Sequence, residues 1–256
     1  MFSNGQIQAV YVIHARHLTD RAGHIASQLA RFQIPYELIE AHDPDAIDPA
    51  LAERVMRSEN PCSIGVLSCA LKHIEALRRI VAHGYHRALV LEDDAILDRN
   101  FTDILANILA EAQAIDHPHA IQIGSGGNMF IPPQHLRPGK YLYAANQVRT
   151  TDGYLIGAET ARLRLAWLER HQFYTAADHL YNRIDREMGI QRYWSEPAIV
   201  VQGSISGLFH SAIDEGHRGR KDKPLWQVQL RFGWQRLRRK YLYPLFRYRI
   251  NQYVAK

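Results

Sequence analysis

Glu92, Asp93 and Asp94 stand side by side in Arg87-Ala-Leu-Val-Leu-Glu-Asp-Asp-Ala95, directly after the apolar run from Ala88 to Leu91. A short run rich in Leu and Val reads as a buried strand. Three carboxylates at its C-terminal end cannot be buried unpaired, because desolvating one ion costs several kcal/mol. Ligands of open α/β sheets gather at the carboxyl ends of strands. A hard divalent cation bridging to a phosphate is the natural partner of such a cluster; a solvated acidic turn is the plainer alternative. On a regular strand Glu92 and Asp94 project to one side and Asp93 to the other. Asp94 is therefore the leading candidate ligand, with Glu92 acting through water or a ribose and a helix-capping carboxylate as the plainer alternative for Asp93.

The elements that must position this triplet follow from periodicity. Gln8 to Ile13 reads as a first strand, followed by a helix from Thr19 or Asp20 to about Phe32, and Ile34 to Glu40 as a second strand. A short helix runs from about Pro49 to Arg57. Leu71, Ile74, Leu77, Ile80 and Val81 form a helical stripe over Ser68 to Ala82 that ends near Gly84. After the acidic strand come a helix from about Asn100 to Ile115 and a strand from Ala120 to Gly124. Residues 128 to 148 read as loop and hairpin, Gly153 to Gly157 as a strand, and 159–170 and 176–188 as helices. Late strands cover 191–194 and 198–202. Strand and helix alternate through the first 125 residues, so the fold class is α/β with a mostly parallel central sheet. A domain over residues 1–215 and a basic tail over 216–256 is the simplest division.

Composition narrows the class further. A hydrophobic fraction of 46% and a charged fraction of 22% over 256 residues suit a water-soluble domain with ample core. No apolar run reaches the roughly 18 residues that span a bilayer. The start, Met-Phe-Ser-Asn-Gly-Gln-Ile-Gln, has neither a basic n-region nor an apolar h-region, so no signal peptide is expected. Cys62 and Cys69, with six residues between them, fit no common zinc spacing and read as small buried hydrophobes in a reducing compartment. The expected location is the cytoplasm.

Four pieces in order carry a resemblance: Val10-Tyr-Val-Ile-His14 with Arg21, Cys69-Ala-Leu-Lys-His73, Leu89-Val-Leu-Glu-Asp-Asp-Ala95, and Thr151-Asp-Gly-Tyr-Leu-Ile156. Together, over roughly residues 8 to 210, they resemble glycosyltransferase family 25, which includes bacterial lipopolysaccharide galactosyltransferases. Two positions depart from the family pattern: His14 stands where the family reads Asn, and Lys72 where it reads Ser. The resemblance implies a GT-A-type nucleotide-sugar-binding sheet, inversion at the anomeric centre, a UDP-sugar donor (commonly UDP-galactose), and Mn2+ or Mg2+.

On that reading the triplet holds the metal that neutralises the leaving diphosphate, through Asp94 with Glu92 and with His210, which follows Gly203-Ser-Ile-Ser-Gly-Leu-Phe209. Ile13, His14, Arg16, Arg21, His73, Glu92 and Asp93 are the donor-binding candidates, the arginines because guanidinium forks suit phosphate oxygens. Solvated loop arginines, a surface His210 and a His73 that only braces the acidic strand are the plainer alternatives. Inverting transfer also needs a base for the acceptor hydroxyl. Asp178, in Thr175-Ala-Ala-Asp-His-Leu180, is the candidate, with Asp152 its rival; Asp178 is equally placed for a first-turn acid favoured by the helix dipole. Ser125-Gly-Gly-Asn128 permits close backbone approach to a sugar but lacks the ending of a phosphate loop.

From Gly216 onward the chain carries twelve Lys and Arg against Asp222 alone, whereas the preceding 215 residues carry 19 basic and 25 acidic side chains. The basic stretch interleaves cations with Trp226, Phe232, Trp234, Tyr241, Tyr243, Phe246, Tyr248 and Tyr253. Pro224 suits a first helical turn, and Leu230, Trp234, Leu237 and Tyr241 then share one face. Such a helix would lie on an anionic leaflet, each nearby cation contributing about 1 kcal/mol, where a glycolipid or oligosaccharide acceptor would be met. This predicts a peripheral enzyme on the inner face of the cytoplasmic membrane. A helix packed on the domain is the alternative, and no nucleic-acid partner is expected because the main domain is acidic. A non-catalytic nucleotide-sugar-binding scaffold and a metal-dependent phosphohydrolase remain the other functional readings.

Overall fold

The computed structural model describes residues 6–56, 59, 61–126, 128–210 and 224–242. Its elements are β1 (Ala9–Ile13), α1 (Thr19–Ala30), β2 (Glu37–Ile39), α2 (Pro49–Val55), α3 (Ile64–His83), β3 (Ala88–Glu92), β4 (Ala95–Leu97) and α4 (Phe101–Ala112), followed by β5 (His119–Gln122), β6 (Leu142–Ala145), β7 (Gly153–Ile156), α5 (Ala158–Leu168), α6 (Ala177–Glu187), β8 (Gln191–Ser195), β9 (Val200–Gln202), α7 (Gly203–Ser206) and α8 (Leu225–Leu237).

Among the described residues, seven strands form one sheet in the order β2-β1-β3-β7-β5-β8-β6. Five point the same way, as expected. β7 runs antiparallel between β3 and β5, and β6 antiparallel to β8, so the sheet is mixed. The reversal of β7 has a direct consequence for the acidic turn. An antiparallel strand brings its N-terminal end to the edge where its neighbours end, so Thr151 and Asp152 lie beside Glu92. The Glu92 N–H donates to Asp152 O at 3.2 Å, extending the β3–β7 ladder by one step.

Both faces of the sheet are covered. Tyr11, Val90, Tyr154 and Ile156 join α3, α5 and α6 on one face. Val10, Val12, Leu89, Leu91 and Leu155 join α1 and α4 on the other. Alternate strand residues point to opposite faces, which is why β1, β3 and β7 read as continuous apolar runs. Helix α3 starts four residues earlier than its apolar stripe suggests, because the Ser63 hydroxyl caps it by accepting the Val66 N–H at 3.3 Å. Gly84, at φ 64°, ends it in the left-handed region that glycine enters without strain.

Two small elements finish the site. β4 and β9 pair as an antiparallel ribbon, Ala95 opposite Gln202, and this carries α7 back to the acidic turn. Helix α8 docks near α7: Gln229 Nε2 donates to Gly207 O, Asn128 Nδ2 donates to Phe232 O, and Lys240 lies over the Phe130 ring. Its outer side exposes Trp226, Leu230, Trp234 and Leu237, with Tyr241 one turn beyond, so the tail helix does sit against the domain yet leaves an aromatic stripe in solvent. The tail residues 216–223 and 243–256, including Tyr243, Phe246, Tyr248 and Tyr253, lie outside the described residues. Among the described residues no helix is long and apolar enough to cross a membrane.

Candidate active site

The C-terminal ends of β1 and β3 meet in register, Ile13 opposite Glu92. The strand stops there: Asp93 and Asp94 form a turn, with the Asp93 N–H donating to Ile13 O at 3.1 Å. Regular alternation therefore ends at Glu92, and each carboxylate acquires its own neighbours. Asp93 does not cap a helix. Its Oδ2 lies 2.9 Å from His14 Nδ1 and its Oδ1 accepts from Arg21 at 3.0 Å. The same Arg21 nitrogen is 3.9 Å from Asp94 Oδ2, and its other nitrogen donates to the backbone oxygen of His210.

Glu92 is fixed from three sides. Thr151 Oγ1 donates to Oε1 at 2.6 Å, Gln202 Nε2 donates to Oε2 at 3.0 Å, and His73 Nε2 stands 3.5 Å from Oε1. The other His73 ring nitrogen meets the Tyr154 hydroxyl at 3.1 Å. His73 is fully buried, and bracing of the acidic strand is part of what it does.

Asp94 is gripped by the start of α7. Gly203 N–H donates to its backbone oxygen and Ser204 N–H to Oδ2, both at 2.9 Å. Gly203 is required by this approach, because a Cβ there would fall 2.7 Å from Asp94 O. Asp94 Oδ1 is buried and has no hydrogen-bond partner among the described residues. Burial, then the Glu92 charge, push the Asp94 carboxyl up to about 6 against the pull of Arg21 and of Ser204.

Asp152 repeats the pattern. It is fully buried; Oδ1 accepts the Thr150 hydroxyl, while Oδ2 has no partner among the described residues. Burial pushes it up to about 7; the Thr150 hydroxyl opposes the rise, Glu92 and Asp94 add to it, and Arg149 opposes it. Gly124 makes the room, since a Cβ there would overlap the Asp152 carboxylate. Arg149 is itself buried, donating to Gly124 O at 3.0 Å and lying over the Trp194 ring.

Two buried carboxylate oxygens without partners, in a region made more negative by Glu92, are a poor arrangement for a protein alone. They suit a divalent cation. All the donors are hard oxygens, the set that Mg2+ and Mn2+ prefer. The residues present thus fit the metal that the sequence resemblance implies.

Beside the turn opens a pocket lined by Ile13, His14, Arg21, Ser68, Cys69, Lys72, Glu92 and Asp93. It brings together most of the expected donor-binding residues. Arg16 is not among them: its largely exposed side chain lies 3.5 Å from Asp43 and reaches Glu40 O. Asp43 is shared with Lys72, whose buried Nζ donates to it at 2.7 Å and to Ala41 O at 2.8 Å. His210 is exposed and touches Arg21 through its backbone. Asp178 is half-buried in the first turn of α6, accepting the N–H of His179. It is close enough that, after burial and the charges of Glu92 and Asp93, its charge also raises the Cys69 thiol. A fully buried Asp152 offers an acceptor hydroxyl no access, whereas Asp178 is only half-buried.

Ser204, Gln202 and Arg149 carry no signal of their own in the sequence, and Thr151 appears there only as part of a motif, without a role. They join the site through backbone or polar contacts spanning up to 110 residues of chain.

The profile of glycosyltransferase family 25 (LPS biosynthesis protein) matches residues 7–181, from β1 into α6. A protein of Haemophilus influenzae that carries the provisional name of glycosyltransferase is 24% identical over 239 residues, covering 87% of this chain and 83% of that protein.

Proposed function

The chain belongs to glycosyltransferase family 25, and on that premise we propose that it transfers a hexose, galactose in the first instance, from a UDP-sugar to a lipooligosaccharide or related glycan with inversion at the anomeric carbon. The observation that carries this reading is the pair of unpartnered buried oxygens, Asp94 Oδ1 and Asp152 Oδ2, beside Glu92 at the strand ends.

Asp94 and Glu92 would hold Mn2+ or Mg2+, with His210, kept at Arg21 by its backbone, as the further ligand. Bound there, the ion supplies positive charge against the departing diphosphate. Ile13 and His14 shape the donor side of the pocket, with His73 buried behind Glu92 rather than lining it. Arg21, released from Asp93, turns its guanidinium fork to phosphate oxygens, while Arg16 stays at the rim. Asp178 accepts the proton of the acceptor hydroxyl as that oxygen attacks the anomeric carbon from the face opposite UDP; the C–O bond to the diphosphate breaks and its electron pair leaves with UDP. Asp152 is better suited to supporting the metal than to this step.

The exposed stripe of Trp226, Leu230, Trp234, Leu237 and Tyr241, flanked by Arg231, Arg236 and Arg239, supports seating on an anionic leaflet where a lipid-linked acceptor is presented. The test is a thermal-shift panel of UDP-sugars with and without Mn2+. Stabilisation by one UDP-hexose only when metal is present is expected. Equal stabilisation without metal, or none by any UDP-sugar, overturns the reading.

A further inference from the structure

We propose that Cys69, His73 and Glu92 form a second cation site on the wall of the donor pocket, selective for a thiophilic divalent ion such as Zn2+. Cys69 and His73 stand one turn apart on α3 and face the end of β3. Cys69 Sγ, a ring nitrogen of His73 and a Glu92 carboxylate oxygen lie within 4.8 Å of one another. The His73 Nε2–Glu92 Oε1 separation of 3.5 Å is already the spacing of two ligands on one tetrahedral ion, roughly 3.4 Å for bonds of about 2.1 Å.

Four further features go beyond proximity. His73 is fully buried, and its Nε2, though 3.5 Å from Glu92 Oε1, makes no hydrogen bond among the described residues, which leaves that nitrogen free to take an ion in the cluster. The other nitrogen is held by the Tyr154 hydroxyl at 3.1 Å, the outer contact that fixes ring orientation in metal-bound histidines. Glu92 is likewise oriented from outside by Thr151 and Gln202. Cys69 and Glu92 also line the pocket, which gives an ion a path in and leaves its fourth position facing the pocket. Binding releases the Cys69 proton to solvent, and the resulting thiolate with imidazole and carboxylate is a soft-to-borderline set. It differs from the all-oxygen set around Asp94, with which it shares Glu92.

The sharing gives the site a consequence that rests on the proposed transfer reaction: Zn2+ at Cys69 draws Glu92 away from the Asp94 side and should inhibit turnover. Binding itself does not depend on that reaction and is tested first, on the full chain without donor or acceptor, using Co2+ as a spectroscopic probe and Zn2+ as competitor. Wild type should show a thiolate-to-cobalt charge-transfer band that Zn2+ abolishes. Cys62→Ser and Asp94→Asn should keep the band, Cys69→Ser should lose it, and Tyr154→Phe should weaken Zn2+ binding on the order of tenfold. In wild type, Zn2+ should protect Cys69 from alkylation and leave Cys62 unprotected, which needs no variant to fold. Absence of the band in wild type, its survival in Cys69→Ser, or alkylation of Cys69 undiminished by Zn2+ would overturn the proposal. Zn2+ binding without inhibition of sugar transfer would instead count against the transfer reading of Glu92.

Discussion

Ser204 donates its backbone N–H to Asp94 Oδ2 at 2.9 Å, while the other oxygen of the same carboxylate stays buried without a partner among the described residues. One side of Asp94 is thereby satisfied by α7 and the other is kept for something the protein does not itself provide. The β4–β9 ribbon imposes this division, because Ala95 pairs with Gln202 and sets the next residues of both strands, Asp94 and Gly203, against each other.

Asp94→Asn keeps the shape of the side chain and its ability to accept the Ser204 N–H, and removes the charge. Metal-dependent stabilisation by a UDP-hexose should disappear, and turnover should fall at least about a hundredfold, since charge neutralisation by a metal contributes several kcal/mol. The metal-free variant should melt no lower than wild type, because a buried, half-paired carboxylate is costly. Paired melting curves with and without Mn2+, together with a UDP-release assay, decide this. A variant that keeps its metal response would remove Asp94 from the site.

The raised carboxyl of Asp152 gives a signed pH dependence. Its folded-state value of about 7 lies above the ordinary 3.8, so the fold holds this proton to higher pH than the unfolded chain does. Its contribution to stability is complete below about pH 3.8 and is lost as pH rises through about 7. With metal chelated, wild type should lose melting temperature between about pH 5 and about pH 8, and Asp152→Asn should lose less. Adding Mn2+ should reverse the trend, since deprotonated ligands bind it better. A melting temperature that rises over this interval without metal would contradict the burial argument.

Much of this arrangement is legible in the residues, and the boundary of what is legible has a physical origin. The apolar stripe of Leu71, Ile74, Leu77 and Ile80 marks α3 because a helix burying one face leaves a period in sequence. Ala88 to Leu91 followed by three acids marks both β3 and the site. The direction of β7 leaves no such trace, since a strand buried on both faces reads alike in either direction. That reversal is what sets Thr151 and Asp152 beside Glu92. The Ser204 contact to Asp94 is made by a backbone N–H, which any residue but proline would supply. Carboxylate alternation misleads at Asp93 because the strand ends one residue earlier.

The outer face of α8 makes a separate prediction. Trp226→Ser with Trp234→Ser removes two exposed aromatics, and α8 docks through other residues, Gln229 and Phe232. Melting temperature should therefore stay unchanged while sedimentation with vesicles containing an anionic lipid is lost. Wild-type binding should weaken with salt as the screening length shrinks from about 10 Å at about 0.1 M to about 3 Å at about 1 M. Binding equal to wild type in the double variant would leave the stripe without this role.

The surroundings of Lys72 give it structural work. Its buried Nζ serves Asp43 Oδ1 and Ala41 O, and Asp43, itself 6% exposed, has among the described residues only the largely exposed Arg16 on its other oxygen. Burial alone would raise the Asp43 carboxyl, yet the Lys72 hydrogen bond and charge hold it below the ordinary carboxylate range. The pair therefore stabilises the fold above that range and loses its contribution as pH falls through the lowered value. Lys72→Ser strands the carboxylate and should cost about 3 kcal/mol or more, the scale of breaking a buried pair from one side. Adding Asp43→Asn removes the stranded charge and should restore most of the loss. Urea midpoints of the two single variants and the double variant give the coupling between the residues directly. Since Lys72 also lines the pocket, donor-dependent stabilisation measured in the double variant separates the roles. A donor response like wild type would make Lys72 a fold residue, whereas a lost response in a well-folded double variant would make it a donor contact.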